Sequence, residues 1–458
     1  MLKPSLRAVA LLLLAGLSAC SSNKPADGAV AVYLQVDAGV KRLFAVPEDG
    51  KTPPVALSPA GARAVFGASL SGRRVLYATL AADASVISVR RVSTDGSGET
   101  LLAEYPAGQY VSLRGAWEAE GRAIVQLTYP DGTPALFASS GNALVSLAAG
   151  RYVGAAAGRI VYLANNTSAV SKTGDLRSVR LDGSGDLALG GGDADDTFHG
   201  LAGSTVLLTE HASGAAEVHA VSADGSGRKS RAGSKGILFA SGALVASRGA
   251  ALERLSTDLA ATALNLPDGA ATPLALRADG TVFAHVTGQG VLAADGRSVR
   301  TLDAFAANTA LAAQLVSFPA GERLVYTANN DEGSYLRVAP LDGSAASTLA
   351  EGHYQEVLFS GLHAGRALFF RTAGAEIGGR LSTVGLDGQG ERPVGDLVTR
   401  TATAADHDFG GLSKAGRLFF EAEVVEHAPP RLFVVEPSGA VRALTAAAGY
   451  TSLSALVE

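Results

Sequence analysis

The chain alternates short apolar runs with short polar breaks along almost its whole length. The runs are five to seven residues long, rich in Val, Leu, Phe and Tyr, and bounded by Gly, Asp, Asn and Ser. Runs of this length between turn residues predict β-strands. No 12-residue stretch after Gly28 carries a helical period of apolar positions, so the chain is expected to be all-β.

The pattern itself repeats. A Gly, often followed by Arg, opens an apolar run; a polar turn, a second run and an Asp-Gly turn follow. Clear copies are Gly72 to Leu102, with Arg74-Val75-Leu76-Tyr77 and then Asp95-Gly96-Ser97-Gly98, and Gly158 to Leu189, with Arg159-Ile160-Val161-Tyr162 and then Asp182-Gly183-Ser184-Gly185. A third is Gly321 to Leu349, with Arg323-Leu324-Val325-Tyr326 and then Asp342-Gly343-Ser344. Others begin near Ala29, Gly121, Gly203, Gly242, Gly280, Gly365 and Gly416, which makes ten units of about 43 residues over 29–458. Each holds four strands, as in Arg323 to Thr327, Tyr335 to Pro340, Ser347 to Ala350 and Val357 to Leu362. Repeats of about 40–45 residues with four strands are the measure of a β-propeller blade. The expected fold is therefore an all-β propeller of about eight to ten four-stranded blades in a single ring, since no composition shift or Pro-rich linker marks a boundary.

The segment Gly321 to Ser344 resembles the repeats of TolB-like propellers and of the YWTD propellers of lipoprotein receptors, and the likeness recurs over most of the chain. It implies a propeller fold.

The first residues follow a different rule. Lys3 and Arg7 precede an apolar run from Ala8 to Gly16, too short to span a bilayer, and then Leu17-Ser18-Ala19-Cys20. This tetrapeptide resembles the lipobox of bacterial lipoproteins, which implies that Cys20 is diacylated and becomes the new N-terminus. Multiple acyl chains anchor firmly where a single chain binds marginally. Ser21 stands where an Asp would imply inner-membrane retention, so an outer-membrane lipoprotein is expected. The expected organisation is a lipoprotein signal peptide over 1–19, a lipidated Cys and flexible tether over 20–28, and the propeller over 29–458.

Composition narrows the function. With 47% hydrophobic residues among 458, the chain is far too apolar to be disordered. Its one Met is Met1 and its one Cys is Cys20, so a mature chain has no thiol for catalysis, disulfides or thiolate metal sites. Cleavage removes two cations and no acid, which takes the formal charge from −5 to −7; without a basic stripe, nucleic acid is not an expected partner. There is no Gly-x-Ser-x-Gly elbow and no His-Glu-x-x-His pair.

Asp-Gly between two apolar runs is a hairpin signal, and one carboxylate per turn is too few for calcium. The Arg at each strand start reads as a solvated residue. Tyr77, Tyr162 and Tyr326 are expected between blades with a partner for each hydroxyl, and Asn165-Asn166 and Asn329-Asn330 are expected to form turns.

Three connections that open on one face of the ring carry both acids and His. They are Asp193-Ala-Asp195-Asp196-Thr-Phe-His199, Glu351-Gly-His353-Tyr-Gln-Glu356 and Asp406-His407-Asp408, each ahead of a Gly-Leu. The candidate binding face is therefore Asp195, Asp196, His199, His353, Glu356, Asp406, His407 and Asp408. Carboxylates and neutral imidazoles there suit a divalent cation, or an acid and base beside a sugar; no other cofactor is expected. His211, His219, His285, His363 and His427 read as packed or surface residues. The leading expectation is a lipid-anchored binding or scaffold protein for an envelope protein or glycan, with no catalytic residue assigned. The alternative is a periplasmic hydrolase or lyase acting on a polysaccharide or small ester, aided by His199, His353, Asp406 and His407.

Overall fold

In the strand Arg159–Ala164, Ile160, Val161, Tyr162 and Leu163 are all buried. Successive strand residues point to opposite faces, so a sheet with this pattern must be covered on both sides. A computed structural model shows how. It describes residues 28–457 except 38–39, 60–63, 72, 82, 111, 166–172, 193–195, 213–214, 319–320, 353–356, 364, 373–378, 400–408, 414, 423–430 and 446–449. Residues 1–27, which hold the expected signal peptide, Cys20 and most of the expected tether, lie outside the described residues.

The strands form ten four-stranded antiparallel sheets, the blades of a β-propeller. We number them 1 to 10 along the chain and call their strands inner, second, third and outer. Ile160 and Tyr162 of blade 4 pack in one core with Ile124 and Leu136 of blade 3, while Val161 and Leu163 pack in another with Val206 and Leu208 of blade 5. Alternate residues of one strand thus serve two cores. Blades 1 and 10 share such a core too, with Ala31, Tyr33 and Val46 against Phe419, Leu432 and Val434. The ring is therefore closed, and single, as the repeat predicts.

The repeat unit and the blade are offset by one strand. A sequence unit opens at a second strand, such as Arg74–Leu80, and its fourth run is the inner strand of the next blade, as with Val357–His363 in blade 9. The offset leaves blade 1 without an inner strand until the last strand, Tyr450–Val457, pairs with Val30–Asp37 in the register Val30↔Val457 and Val36↔Tyr450.

Polar side chains between blades are satisfied in pairs. The tyrosine of the second strand stands opposite an arginine of the third in three blades: Tyr77↔Arg90, Tyr162↔Arg177 and Tyr326↔Arg337. A carboxylate completes each set. The Tyr77 hydroxyl donates to Glu99, the Tyr162 hydroxyl to Asp186 at 2.8 Å, and the Tyr326 hydroxyl to Asp303. Asp303 ends the outer strand of blade 7, so its bidentate pair with Arg337 of blade 8, at 2.6 and 2.9 Å, crosses an interface. Asp303 and Arg337 are 6% and 8% exposed. The interface of blades 5 and 6 holds the same pair with the signs exchanged, Arg231 gripping Glu253 at 2.8 and 2.6 Å with Ser234 as a third donor.

Arg74 is exposed, as the sequence suggests, but other strand-start arginines are not solvated. Arg159 is 6% exposed and donates to Ser178 Oγ at 2.9 Å and to the carbonyls of Ser178 and Gly185. Arg122 and Arg323 reach the next blade, at Leu181 O (3.1 Å) and Leu386 O (3.2 Å). Turn carbonyls left unpaired by the ladder need donors, and a guanidinium has five.

Burial alone would raise the Asp303 carboxyl, but hydrogen bonds from Arg337 and Tyr326 hold it below its ordinary value. Its contribution to stability is therefore complete above the unfolded carboxyl value near pH 4 and is lost as pH falls through the lower folded value. Asp303→Ala is expected to cost roughly 3–5 kcal/mol by leaving Arg337 buried and unpaired, whereas replacing both partners with apolar residues of similar volume is expected to be near neutral. Urea unfolding of the variants checks this, and Asp303→Asn should flatten the acid limb of the stability profile.

Candidate functional site

The Asp-Gly turns at Asp95, Asp182, Asp224 and Asp342 join third strands to outer strands, on the face of the ring opposite the second-to-third and outer-to-next-inner connections, whereas Asp131-Gly132 joins the second and third strands of blade 3 and Asp268-Gly269 leads from blade 6 to the inner strand of blade 7. The four third-to-outer turns are self-contained. In Asp95, Asp182, Asp224 and Asp342, Oδ1 accepts both the N–H and the hydroxyl of the Ser two residues on. Those bonds from Ser226 lead the effects that hold Asp224 down to about 2. Asn165 has φ +55°, and Asn330 Oδ1 caps the N–H groups of Glu332 and Gly333; both make turns, as expected, while Asn166 lies outside the described residues.

Of the candidate face, Asp195, His353, Glu356, Asp406, His407 and Asp408 also lie outside the described residues. Asp196 and His199 are described, in blade 5. Asp196 is 5% exposed; its Oδ1 accepts the backbone N–H of His211 at 2.7 Å and lies 3.6 Å from His211 Nδ1. His199 sits at a β-bulge between the pairs Phe198↔Leu208 and Gly200↔Leu207. A bulge re-aims the side chain of its extra residue. Here Nε2 of His199 meets Thr209 Oγ1 at 2.7 Å, and the same Oγ1 accepts the N–H of Gly236 in blade 6 at 3.0 Å. A Cβ at Gly236 would lie 2.3 Å from His199 Nε2, so the contact requires glycine there. The contacts of Asp196 with His211 and of His199 with Thr209 each support the local structure of blade 5.

A second cluster lies beside them. His219, read as a packed or surface residue, is 6% exposed, with Nε2 3.0 Å from Glu210 and 3.7 Å from Glu217. Glu210 and Glu217 face each other across the hairpin of Thr205–Ala212 and Ala215–Ser222. Arg228 meets Glu210 at 2.6 Å and also donates to Leu189 O of blade 4, while the N–H of Gly191 donates to Glu210 at 2.9 Å. The sequence signal was available in the strand alternation: Glu217 and His219 share a face, and the short hairpin sets Glu210 opposite. Burial, then the Arg228 charge, lowers His219 below its ordinary value against the opposing pull of Glu210, Glu217 and Asp196. The arrangement is an imidazole held between two carboxylates, with burial favouring its neutral form. Among the described residues no group of three or more His, Cys, Asp or Glu side chains is placed to hold a metal ion. His285 and His363 are each 2% exposed, as packed residues.

No protein-family model matches the chain. No curated protein matches it. Among solved structures it is similar to the tricorn protease, with 13% identity and a TM-score of 0.27 over 91% of this chain and 44% of that one. It is also similar to a prolyl endopeptidase, at 12% identity and a TM-score of 0.41 over 85% of this chain and 50% of that one. A third is the β-propeller domain of the Trilobed protease from Pyrococcus furiosus, described as having an open velcro topology, at 9% identity and a TM-score of 0.30 over 73% of this chain and 97% of that one. The chain thus spans about half or less of the first two proteins, and no site residue is carried over from any of them.

A depressed His219 favours the neutral ring in the folded state. The stability this brings is present above the unfolded value near pH 6.5 and is lost as pH falls below it. NMR titration is expected to place the His219 midpoint below 6.5, and His219→Gln should reduce the fall in stability between pH 7 and pH 5.

Proposed function

We propose that this chain is a lipid-anchored cell-envelope propeller that binds or scaffolds a protein or glycan partner. The observation that carries the reading is the Leu17-Ser18-Ala19-Cys20 tetrapeptide, set behind Lys3, Arg7 and a short apolar run and ahead of a ring of ten blades. Thioether-linked acyl chains on Cys20 would hold the ring at the outer membrane through the tether 20–28. The repeats would then belong with those of the TolB-like and YWTD propellers, and the outer-to-inner loops at 193–199, 351–356 and 406–408 would face the partner. A closed ring suits this role because its loops can diverge while the cores between blades stay fixed.

Cys20→Ser is expected to move the protein from the detergent-extracted membrane fraction to the soluble fraction and to abolish palmitate labelling; an unchanged distribution would count against the anchor. Affinity capture from solubilised envelope should return a stoichiometric partner that is lost when Asp195, Glu356, Asp406 and Asp408 are replaced by their amides. Retention of that partner by the neutralised variant would assign binding to another surface.

A further inference from the structure

The chain enters the ring at a fixed point on one face. Its first described residue, Gly28, comes just ahead of Val30–Asp37, the second strand of blade 1. The Gly28 carbonyl accepts a hydrogen bond from Arg73 Nη2 at 3.3 Å, and Arg73 lies in the inner-to-second turn of blade 2. The next carbonyl, that of Ala29, accepts the N–H of Glu48 at 2.8 Å. Glu48 is 5% exposed and pairs at 2.7 Å with Arg417, just ahead of the second strand of blade 10. A Cβ on Gly28 would lie 2.7 Å from Glu48 Oε1, so the backbone runs close against that side chain. Three blades therefore hold the point at which residue 28 emerges.

That point belongs to the face of the third-to-outer turns. Inner-to-second and third-to-outer turns share one end of an antiparallel blade, and Val30 starts its strand at that end, opposite Pro47 and Val457. The third-to-outer turn of blade 1 follows at Glu48-Asp49-Gly50. The loops at 193–199, 351–356 and 406–408 belong to the other end, the height of a strand away. The 8 residues of Val30–Asp37, at about 3.3 Å each, make that height about 26 Å.

Tether length turns this position into an orientation. Cys20 is eight residues from Gly28, and eight residues fully extended reach at most about 29 Å. A flexible chain of that length spans about 15 Å on average. For the loop face to meet a bilayer, the tether would have to pass outside the third and outer strands of blade 1, or inward past its inner strand, and then climb the height of the strand. With neighbouring strands about 4.8 Å apart, the two routes need about 36 and about 31 Å before any side chain is cleared. Neither fits. The turn face needs no detour, and its turns are self-contained: Ser97, Ser184, Ser226 and Ser344 each give N–H and hydroxyl to the Asp of their own turn. Such a surface suits a place beside a hydrated headgroup layer without insertion into it.

Resting on the Cys20 anchor proposed above, we propose that the ring stands on the bilayer with the face of its third-to-outer turns toward the headgroups and its loop face turned away. The neighbour of the turn face is the headgroup layer itself. The loops of the candidate binding face then meet a partner from the aqueous side.

Introduced cysteines report this orientation, because the one natural thiol of the chain is the one the anchor consumes. Lys41 and Lys51 are exposed at opposite ends of blade 1, and Ala250 and Thr257 at opposite ends of blade 6, across the ring. The full lipidated chain carrying Lys41→Cys, Lys51→Cys, Ala250→Cys or Thr257→Cys is labelled with a maleimide donor dye. It is reconstituted into phosphatidylcholine vesicles that carry an acceptor dye on a share of the headgroups. The donors at 51 and 257, on the turn face, are expected to lose more emission to the acceptor than those at 41 and 250. Equal losses within either pair, or the larger loss at 41 or 250, would overturn the orientation and leave the anchor in place. Uptake of the dye by the chain without an added cysteine, or its failure to float with the vesicles, would remove the anchor at Cys20 and the orientation with it.

Discussion

A four-stranded blade whose strands are apolar on both faces cannot stand alone. Every blade of this protein shares one core with the blade before it and another with the blade after it, so the ring is stable only when all ten interfaces exist. Closure is therefore the condition on which the rest depends. Pairing of the last strand with the first meets it, and brings together cores some 400 residues apart in the chain, as in the hydrogen bond from Arg442 to Glu48 O.

Closure also explains the arginines. Ten wedge-shaped blades leave turn carbonyls and polar side chains at their margins, where water is partly excluded and an unpaired group is costly. Arg122, Arg300 and Arg323 reach across to carbonyls of the next blade. Deeper in, the bidentate pairs Arg337 with Asp303 and Arg231 with Glu253 fix how neighbouring blades meet. The two pairs use opposite signs at corresponding strands, so a blade shuffled to the wrong interface would bring together like charges or leave a charge unpaired.

The fold was legible because its cause is local and repeated: strand length, Asp-Gly turns and a period near 43 residues each follow from residue type at short range. The Tyr77, Tyr162 and Tyr326 partners were legible in kind for the same reason. Other features depend on register and on contacts between blades. The role of Arg159 was hidden because a Gly-Arg strand start looks the same whether the guanidinium meets water or a turn carbonyl. The Glu210, Glu217 and His219 cluster needed the hairpin register. The one-strand offset between repeat and blade was likewise invisible until the last strand found its partner.

The claim that one ring is closed by its last strand is tested most directly by deleting residues 450–458 and measuring urea unfolding against the intact chain by circular dichroism and tryptophan fluorescence. Loss of the inner strand of blade 1 uncovers the edge of Val30–Asp37 and opens the ring at its seam. The account predicts a lower midpoint, transitions that no longer coincide between the two probes, and self-association through the bare edge. A truncated monomer that unfolds with the midpoint and slope of the intact chain would contradict it.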